Sequence, residues 1–154
     1  MFTPALVVAI VGTACIGGVL YAFSSFVMSA LNRLPAPDAV RAMQSINLRA
    51  ERPPLLTMFV VPLIAAVSLS LGAAPVSPPA FWWVLAGTGL YLLGCIGVTL
   101  AVNVPLNNRL AKAPDDDEAT WRAYSRPWTA VNHVRTAAAL AASVSFAVAA
   151  LMEG

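Results

Sequence analysis

Few polar side chains in this chain lie where they could do chemistry, and they are amides, arginines and one histidine set among aromatic rings. The polar members are Gln44, Asn47, Asn103, Asn107, Asn108, Arg122, Asn132, His133 and Arg135, and the interleaved rings are Trp121, Tyr124 and Trp128. Amide and guanidinium groups bind a planar oxyanion, such as a phenolate or an enolate, by hydrogen bonds. Indole and phenol rings stack on a flat ring. These residue types together favour binding of a flat aromatic molecule that carries oxygen.

His133 is the only histidine in the chain, and histidine is the residue type that exchanges protons most readily near neutral pH. We therefore expect His133 to act as a catalytic base. Asn107, Asn132 and Arg135 would then hold the enolate that proton removal creates. A histidine near a membrane interface is equally typical of a side chain that only hydrogen-bonds a helix end. Both interpretations of His133 stay open at the level of the sequence.

Several common kinds of site are excluded by residue counts and spacings. A Cys/His metal cluster needs more ligands than one histidine and two cysteines, Cys15 and Cys95, can supply. The chain has no glycine-rich phosphate loop, and no carboxylates are paired within an apolar run. We therefore expect neither a metal nor a cofactor. The net charge of +2 gives no reason to expect a nucleic acid partner.

The elements that must position these side chains are long apolar helices. Of the 154 residues, 59% are hydrophobic and 10% are charged, and no Lys, Arg, Asp, Glu or His lies between Pro53 and Asn108. A water-soluble domain cannot leave so long a stretch uncharged and still cover its surface, whereas helices in lipid can. A spanning helix needs about 17–25 residues. We expect one integral membrane domain over residues 1–154, with spans at about 2–31, 55–74, 81–104 and 128–152.

The pattern predicts an all-α fold: an up-and-down bundle of four transmembrane helices, with a short interfacial helix between helices one and two. Pro37 and Asp38 suit the start of this interfacial helix, and Pro53 ends it. One face of the interfacial helix carries Val40, Gln44, Asn47 and Glu51. The first apolar run is longer than the ~7–15 residues of a signal-peptide core, so we expect a retained helix.

The positive charges predict the orientation in the membrane. All nine Lys and Arg residues lie in two segments, Arg33–Arg52 and Arg109–Arg135, which form the first and third connections of a four-helix chain. Because cytoplasmic loops carry an excess of Lys and Arg, we expect both basic loops in the cytoplasm and both termini outside, in a plasma or inner membrane. This topology places the whole polar and aromatic group at the cytoplasmic end of the bundle.

Four short motifs resemble those of a known family. They are Phe23-Ser24-Ser25-Phe26-Val27, then Met43-Gln44-Ser45-Ile46-Asn47, then Asn103-Val104-Pro105-Leu106-Asn107, and finally Trp121, Trp128 and Asn132-His133-Val134-Arg135. Together they resemble the anthrone oxygenase-like family of small four-helix membrane proteins, over nearly the whole chain. Fungal members named for their activity oxidise polyketide anthrones to anthraquinones with O₂, without metal or flavin.

The resemblance implies a shared motif of eight residues: Gln44, Asn47, Asn103, Asn107, Trp121, Trp128, Asn132 and Arg135. It implies a cofactor-independent oxygenase of a lipophilic, anthrone-like aromatic. The alternative is a non-catalytic membrane accessory or ligand-binding protein that uses the same pocket. The expected partners are the lipid bilayer and a lipophilic aromatic small molecule, and homo-oligomerisation stays open.

Simpler roles also stay open for single residues. The asparagines around Pro105 could satisfy only the backbone groups that this proline frees. The arginines of the third connection could contact lipid phosphates, and the tryptophans could belong to an interfacial aromatic belt.

Overall fold

The computed structural model describes residues 2–72, 77–113 and 117–153, and these ranges are helical with no strand. The expected all-α fold is confirmed. The helices are α1 (Phe2–Ala22, continued by Phe23–Val27 and Met28–Leu31), α2 (Ala36–Ala50), α3 (Pro53–Ser70), α4 (Pro78–Ala111) and α5 (Glu118–Leu151). Helix α4 consists of the segments Pro78–Gly89, Leu90–Gly97, Thr99–Asn103 and Val104–Ala111.

Within the part of the chain that the structure describes, four helical stretches are long and apolar enough to cross a membrane: Pro4–Leu31, Pro53–Ser70, Pro78–Ala111 and Glu118–Leu151. Large apolar side chains lie exposed along them, which is the surface that lipid requires. The chain is therefore an integral membrane protein whose apolar helices associate with lipid. The side of the membrane on which each loop lies stays a prediction.

The four long helices pack in a ring. Helix α1 contacts α3 and α5, and α4 contacts the same two helices. Close approach depends on small residues: a Cβ atom added to Gly12 of α1 would lie 2.6 Å from the Pro62 side chain of α3. Gly17 makes the same kind of contact with Leu140 of α5. The up-and-down order of the helices stays a prediction.

Helix α2 is present where the sequence places it, between the first and second long helices. Pro35 is its extended N-cap and Asp38 lies in its first turn, where a carboxylate favours the positive end of the helix dipole. Its buried residues, Val40 and Met43 among them, pack on the aromatic residues of α5. The position of α2 at the membrane interface stays a prediction.

Helix α5 begins earlier than the expected start at 128. The carboxylate of Asp117 accepts a hydrogen bond from the Thr120 N–H at 2.8 Å, and the helix runs from Glu118 through Pro127 without a break. This bond holds the pKa of Asp117 below its usual range. The cap therefore starts the helix, and the interior proline is tolerated because helices in a bundle re-satisfy freed backbone groups. The acidic run from Asp115 to Glu118 by itself predicts a helix start, because carboxylates favour the positive end of a helix. Its first two residues, Asp115 and Asp116, lie outside the described residues.

The early start of α5 has a consequence for the site. At 100° per residue, five side chains spread over one narrow face of the same helix: Trp121, Tyr124, Trp128, Asn132 and Arg135. Arg135 is buried in the bundle. From the sequence we expected it at the end of the basic third connection.

Three π-helical stretches lie around this face: Phe23–Val27 in α1, and Leu90–Gly97 and Thr99–Asn103 in α4. Such stretches are frequent at functional sites, because the wider turn re-aims side chains.

Candidate functional site

A cavity of about 710 Å³ is lined by side chains from all five helices. Its volume lies within the ~300–1,000 Å³ that is typical of small-molecule sites. Most of the wall is apolar. The polar residues of the wall that come from the buried part of the bundle are Asn103, Asn107, Thr99, Trp128 and Arg135.

Arg135 is a buried cation held by two hydrogen bonds. One terminal nitrogen donates to Thr99 Oγ1 at 3.0 Å, and the other donates to Asn132 Oδ1 at 2.6 Å. The guanidinium carbon lies 5.5 Å from the centroid of the Trp128 ring. Its Nε–H has no hydrogen-bond partner among the described residues. A charged side chain buried at membrane depth is costly, and such residues are rare and often functional.

Asn132 orients the guanidinium of Arg135. Its Nδ2 donates to the Leu20 carbonyl oxygen and to Ser24 Oγ, both at 2.8 Å, while Oδ1 accepts from Arg135. Both polar atoms of the Asn132 amide are thus engaged, and the side chain does not line the cavity. The amide ties α5 to α1 and fixes the direction in which Arg135 points.

A second group of hydrogen bonds fixes the Trp128 ring. Asn107 Oδ1 accepts from Trp128 Nε1 and from Tyr124 Oη, each at 2.9 Å. Asn47 Nδ2 of α2 donates to Tyr124 Oη at 3.4 Å, and the Phe23 ring lies 5.6 Å from the Trp128 ring. The indole is therefore held rigidly as part of the cavity wall.

Asn103 is a buried polar side chain of the cavity for which the described residues supply no hydrogen-bond partner. It is 1% exposed, and neither Oδ1 nor Nδ2 has a hydrogen-bond partner among the described residues. An unmade hydrogen bond at a buried polar atom costs about 1–3 kcal/mol. Asn103 is also one of the residues that line the cavity.

Two expected substrate-binding residues lie outside the cavity wall. Gln44 Nε2 donates to the Leu110 carbonyl oxygen at 2.9 Å, which ties α2 to α4. Trp121 Nε1 donates to Asn32 Oδ1 at 2.9 Å, which ties α5 to the end of α1. Both side chains hold the helices around the cavity and do not line it.

The structure does not bring His133 to the cavity. The side chain is exposed and is not among the lining residues. At 100° per residue, His133 lies on the opposite side of α5 from Trp128 and Arg135, because these two residues are separated from it by five and two positions. The catalytic role of His133 stays a prediction, and the exposed position of the side chain away from the cavity does not support it.

Two lining residues, Thr99 and Glu51, were not among the predicted site residues. Thr99 precedes Asn103 by four positions, so it lies on the same face of α4 and supports Arg135. Glu51 shares a helix face with Asn47 and is the only carboxylate among the described lining residues. Both signals were present as helical spacings.

The described residues contain no group of three or more His, Cys, Asp or Glu that could hold a metal ion. The expectation of no metal and no cofactor stays a prediction. The arrangement itself offers a flat aromatic wall beside hydrogen-bond donors in an apolar cavity, which suits a planar ligand with one oxygen-bearing edge.

The sequence model of the anthrone oxygenase family matches residues 55–145, more than half of the chain. The matched range covers most of α3, all of α4 and most of α5, and it contains Asn103, Asn107, Trp128 and Arg135. No curated protein and no solved structure matches the chain.

Proposed function

The chain belongs to the anthrone oxygenase family, and from this premise we propose that it is a cofactor-independent oxygenase of a lipophilic, anthrone-like aromatic. The observation that carries the proposal is the grouping at one cavity wall of the buried Arg135, the unpartnered Asn103 amide and the fixed Trp128 ring. Family membership supports an oxygenase, and the cavity chemistry supports the kind of substrate.

The ligand-binding roles follow from which polar atoms are free. The flat ring stacks against Trp128, and its carbonyl oxygen accepts from Arg135 Nε and Asn103 Nδ2. Asn132 has engaged both polar atoms of its amide, and Asn107 Oδ1 accepts from Trp128 and Tyr124, so these two residues position Arg135 and Trp128. This assignment moves the enolate-binding role of the amides from Asn107 and Asn132 to Asn103.

The proposed reaction uses the substrate as reductant and O₂ as oxidant. A C–H bond of the ring CH₂ breaks, its proton goes to a base, and its electron pair spreads onto the carbonyl oxygen as an enolate. Arg135 and Asn103 stabilise that charge, which is how fixed donors lower a barrier. The carbanion carbon then bonds O₂, which is reduced and protonated to a hydroperoxide. Loss of water, with the second C–H proton, leaves a new C=O, so that CH₂ plus O₂ gives C=O plus H₂O.

Glu51 is the side chain that we assign as the proton acceptor. It lines the cavity and is exposed at its edge, so the proton that it accepts can pass to water. Carboxylates serve as general bases when they reach the proton that they remove. The assignment replaces His133, which lies on the far side of α5.

The test is O₂ uptake by the purified protein in lipid nanodiscs with emodin anthrone, measured against empty nanodiscs. The expected result is a rate above the non-enzymatic background that survives treatment with a metal chelator, together with formation of the anthraquinone. A rate equal to that of empty nanodiscs contradicts the oxygenase. Anthrone binding without any uptake favours the alternative, a ligand-binding protein that uses the same cavity.

A further inference from the structure

We infer that the cavity opens sideways into the bilayer between α3 and α4, and that its ligand enters from lipid with its oxygen-bearing edge first. The inference rests on the proposed function only for the chemical class of the ligand. It assigns the molecule a route and a pose.

The side-chain hydrogen bonds between α3 and α4 all involve the first half of α4. Ser70 Oγ and Thr88 Oγ1 lie 2.8 Å apart, and Tyr91 Oη donates to the Phe59 carbonyl oxygen at 3.1 Å. Helix α3 packs on the α4 segments Pro78–Gly89 and Leu90–Gly97.

The second half of α4 packs elsewhere. Its segment Thr99–Asn103 contacts α5, and Val104–Ala111 contacts α2 and α5. Beyond Tyr91, no hydrogen bond between described residues connects α3 to α4. The two helices therefore separate towards the end of the bundle that holds the cavity.

Both edges of this separation are apolar, exposed and part of the cavity wall. Leu56 and Val60 of α3 are 52% and 40% exposed, and Leu100 of α4 is 64% exposed. All three lie in stretches long and apolar enough to span a membrane, so lipid is the solvent that they meet. The cavity therefore has an apolar mouth that faces hydrocarbon.

Polarity changes along the cavity from this mouth inwards. Asn103 lies one turn after Leu100 on α4, and it is fully enclosed. Arg135, which is also buried, lines the cavity too and donates a hydrogen bond to Thr99 of the same helix as Asn103. A molecule that enters between α3 and α4 thus meets leucine and valine first and hydrogen-bond donors last. This order selects a ligand with one oxygen-bearing edge and an apolar body.

A second, polar edge of the cavity is formed by α2. Ser45, Arg49 and Glu51 line the cavity and are exposed, and they suit passage of water and protons. A lipophilic ring that enters through the apolar mouth passes only apolar groups. Entry past Arg49 and Glu51 would cost more free energy, because these charged side chains would lose contact with water. The ligand therefore enters the cavity at the apolar edge, and protons and water pass at the polar edge.

The test measures ligand association in proteoliposomes under argon, where oxygenation cannot proceed. Anthrone is preloaded in the lipid, and quenching of protein tryptophan fluorescence reports binding. Leu100→Phe and Val60→Phe narrow the apolar mouth. The matched control is Leu93→Phe, because Leu93 lies on the same helix, is 70% exposed and does not line the cavity.

The expected result is about a tenfold fall in both association and dissociation rates for the two mouth variants, with the Kd changed by less than about threefold. Unchanged rates, or equal slowing by Leu93→Phe, overturn the lateral route. Arg49→Phe tests the polar edge: slowing by this variant alone shows that the ligand enters from water.

A ligand-independent measurement keeps the inference testable when anthrone does not bind, an outcome that would count against the proposed function instead. Leu100→Trp, made together with Trp82→Phe and Trp83→Phe, places an indole at the mouth. Phospholipids brominated at mid-chain should quench its added fluorescence, and aqueous acrylamide should not. Quenching by acrylamide alone contradicts a mouth that faces lipid.

Discussion

Replacement of Arg135 separates the chemical role of this residue from its structural one. In Arg135→Met the chain loses two charged hydrogen bonds, to Thr99 and Asn132, each worth about 1.5–3 kcal/mol. The replacement also removes the free-energy cost of burying a cation, which is on the order of several kcal/mol, and this favours the folded state. The two contributions oppose each other, so we expect the melting temperature in detergent to change only modestly.

The effect on turnover has no such compensation. An enolate that loses a fixed, charged donor is destabilised by about 2.7–4 kcal/mol, which corresponds to about 10²–10³ in kcat. Arg135→Lys keeps the charge but cannot reproduce the planar fork that contacts Thr99, Asn132 and the ligand together, so its rate should lie between those of Met and wild type.

The assay is O₂ uptake with emodin anthrone in nanodiscs, paired with a thermal melt for each variant. Arg122→Met is the matched control, because Arg122 lies on the same helix and forms an exposed pair with Glu118 at 2.8 Å. Its rate should equal that of wild type. If Arg135→Met keeps a rate within about threefold of wild type while folding normally, Arg135 does not hold the developing charge and the mechanism is wrong.

Three further replacements give distinct outcomes. Asn103→Leu removes two buried, unpartnered polar atoms, so the melting temperature should rise while anthrone affinity falls about tenfold; unchanged affinity would exclude Asn103 from the ligand site. Glu51→Gln should lower kcat at least tenfold and leave anaerobic anthrone binding intact, with Glu51→Asp retaining part of the rate; an unaffected kcat would require another base. His133→Ala should leave O₂ uptake and anthrone binding at wild-type values, because the side chain is exposed on the other side of α5; a loss of uptake with normal binding would restore His133 as the base.

The membrane-spanning helices could be predicted from sequence because lipid imposes a simple requirement. A chain without charge between Pro53 and Asn108 cannot cover itself in water, so the helices there follow from composition alone. The start of α5 could not be predicted as securely. Pro127 is a common first residue of a helix, but the Asp117 cap begins the helix earlier, and the bundle tolerates the proline.

The group of polar residues could be predicted, but the role of each member could not. Sequence shows that Asn103, Asn107 and Asn132 are amides near the same end of the bundle, and it cannot show which of them are already hydrogen-bonded. The structure distinguishes them: Asn107 and Asn132 bond within the protein, and Asn103 does not. Contacts between distant segments, such as Asn132 with Leu20, decide this outcome.

Residue type and helix geometry give different indications for His133. Trp128, Asn132 and Arg135 share a face at spacings of four and three, and the same wheel places His133 on another face. The π-helical turns of α4 had no sequence signal that pattern analysis detects, yet the turn Thr99–Asn103 presents both Thr99 and Asn103 to the cavity.

The most direct test of the central claim is a structure of the protein determined with anthrone bound under argon. The ring should lie against Trp128, with its oxygen about 2.7–3.2 Å from Arg135 Nε and Asn103 Nδ2 and its apolar edge towards the gap between α3 and α4. A ring bound outside this cavity, or one whose oxygen points away from Arg135 and Asn103, would contradict the assignment of the site.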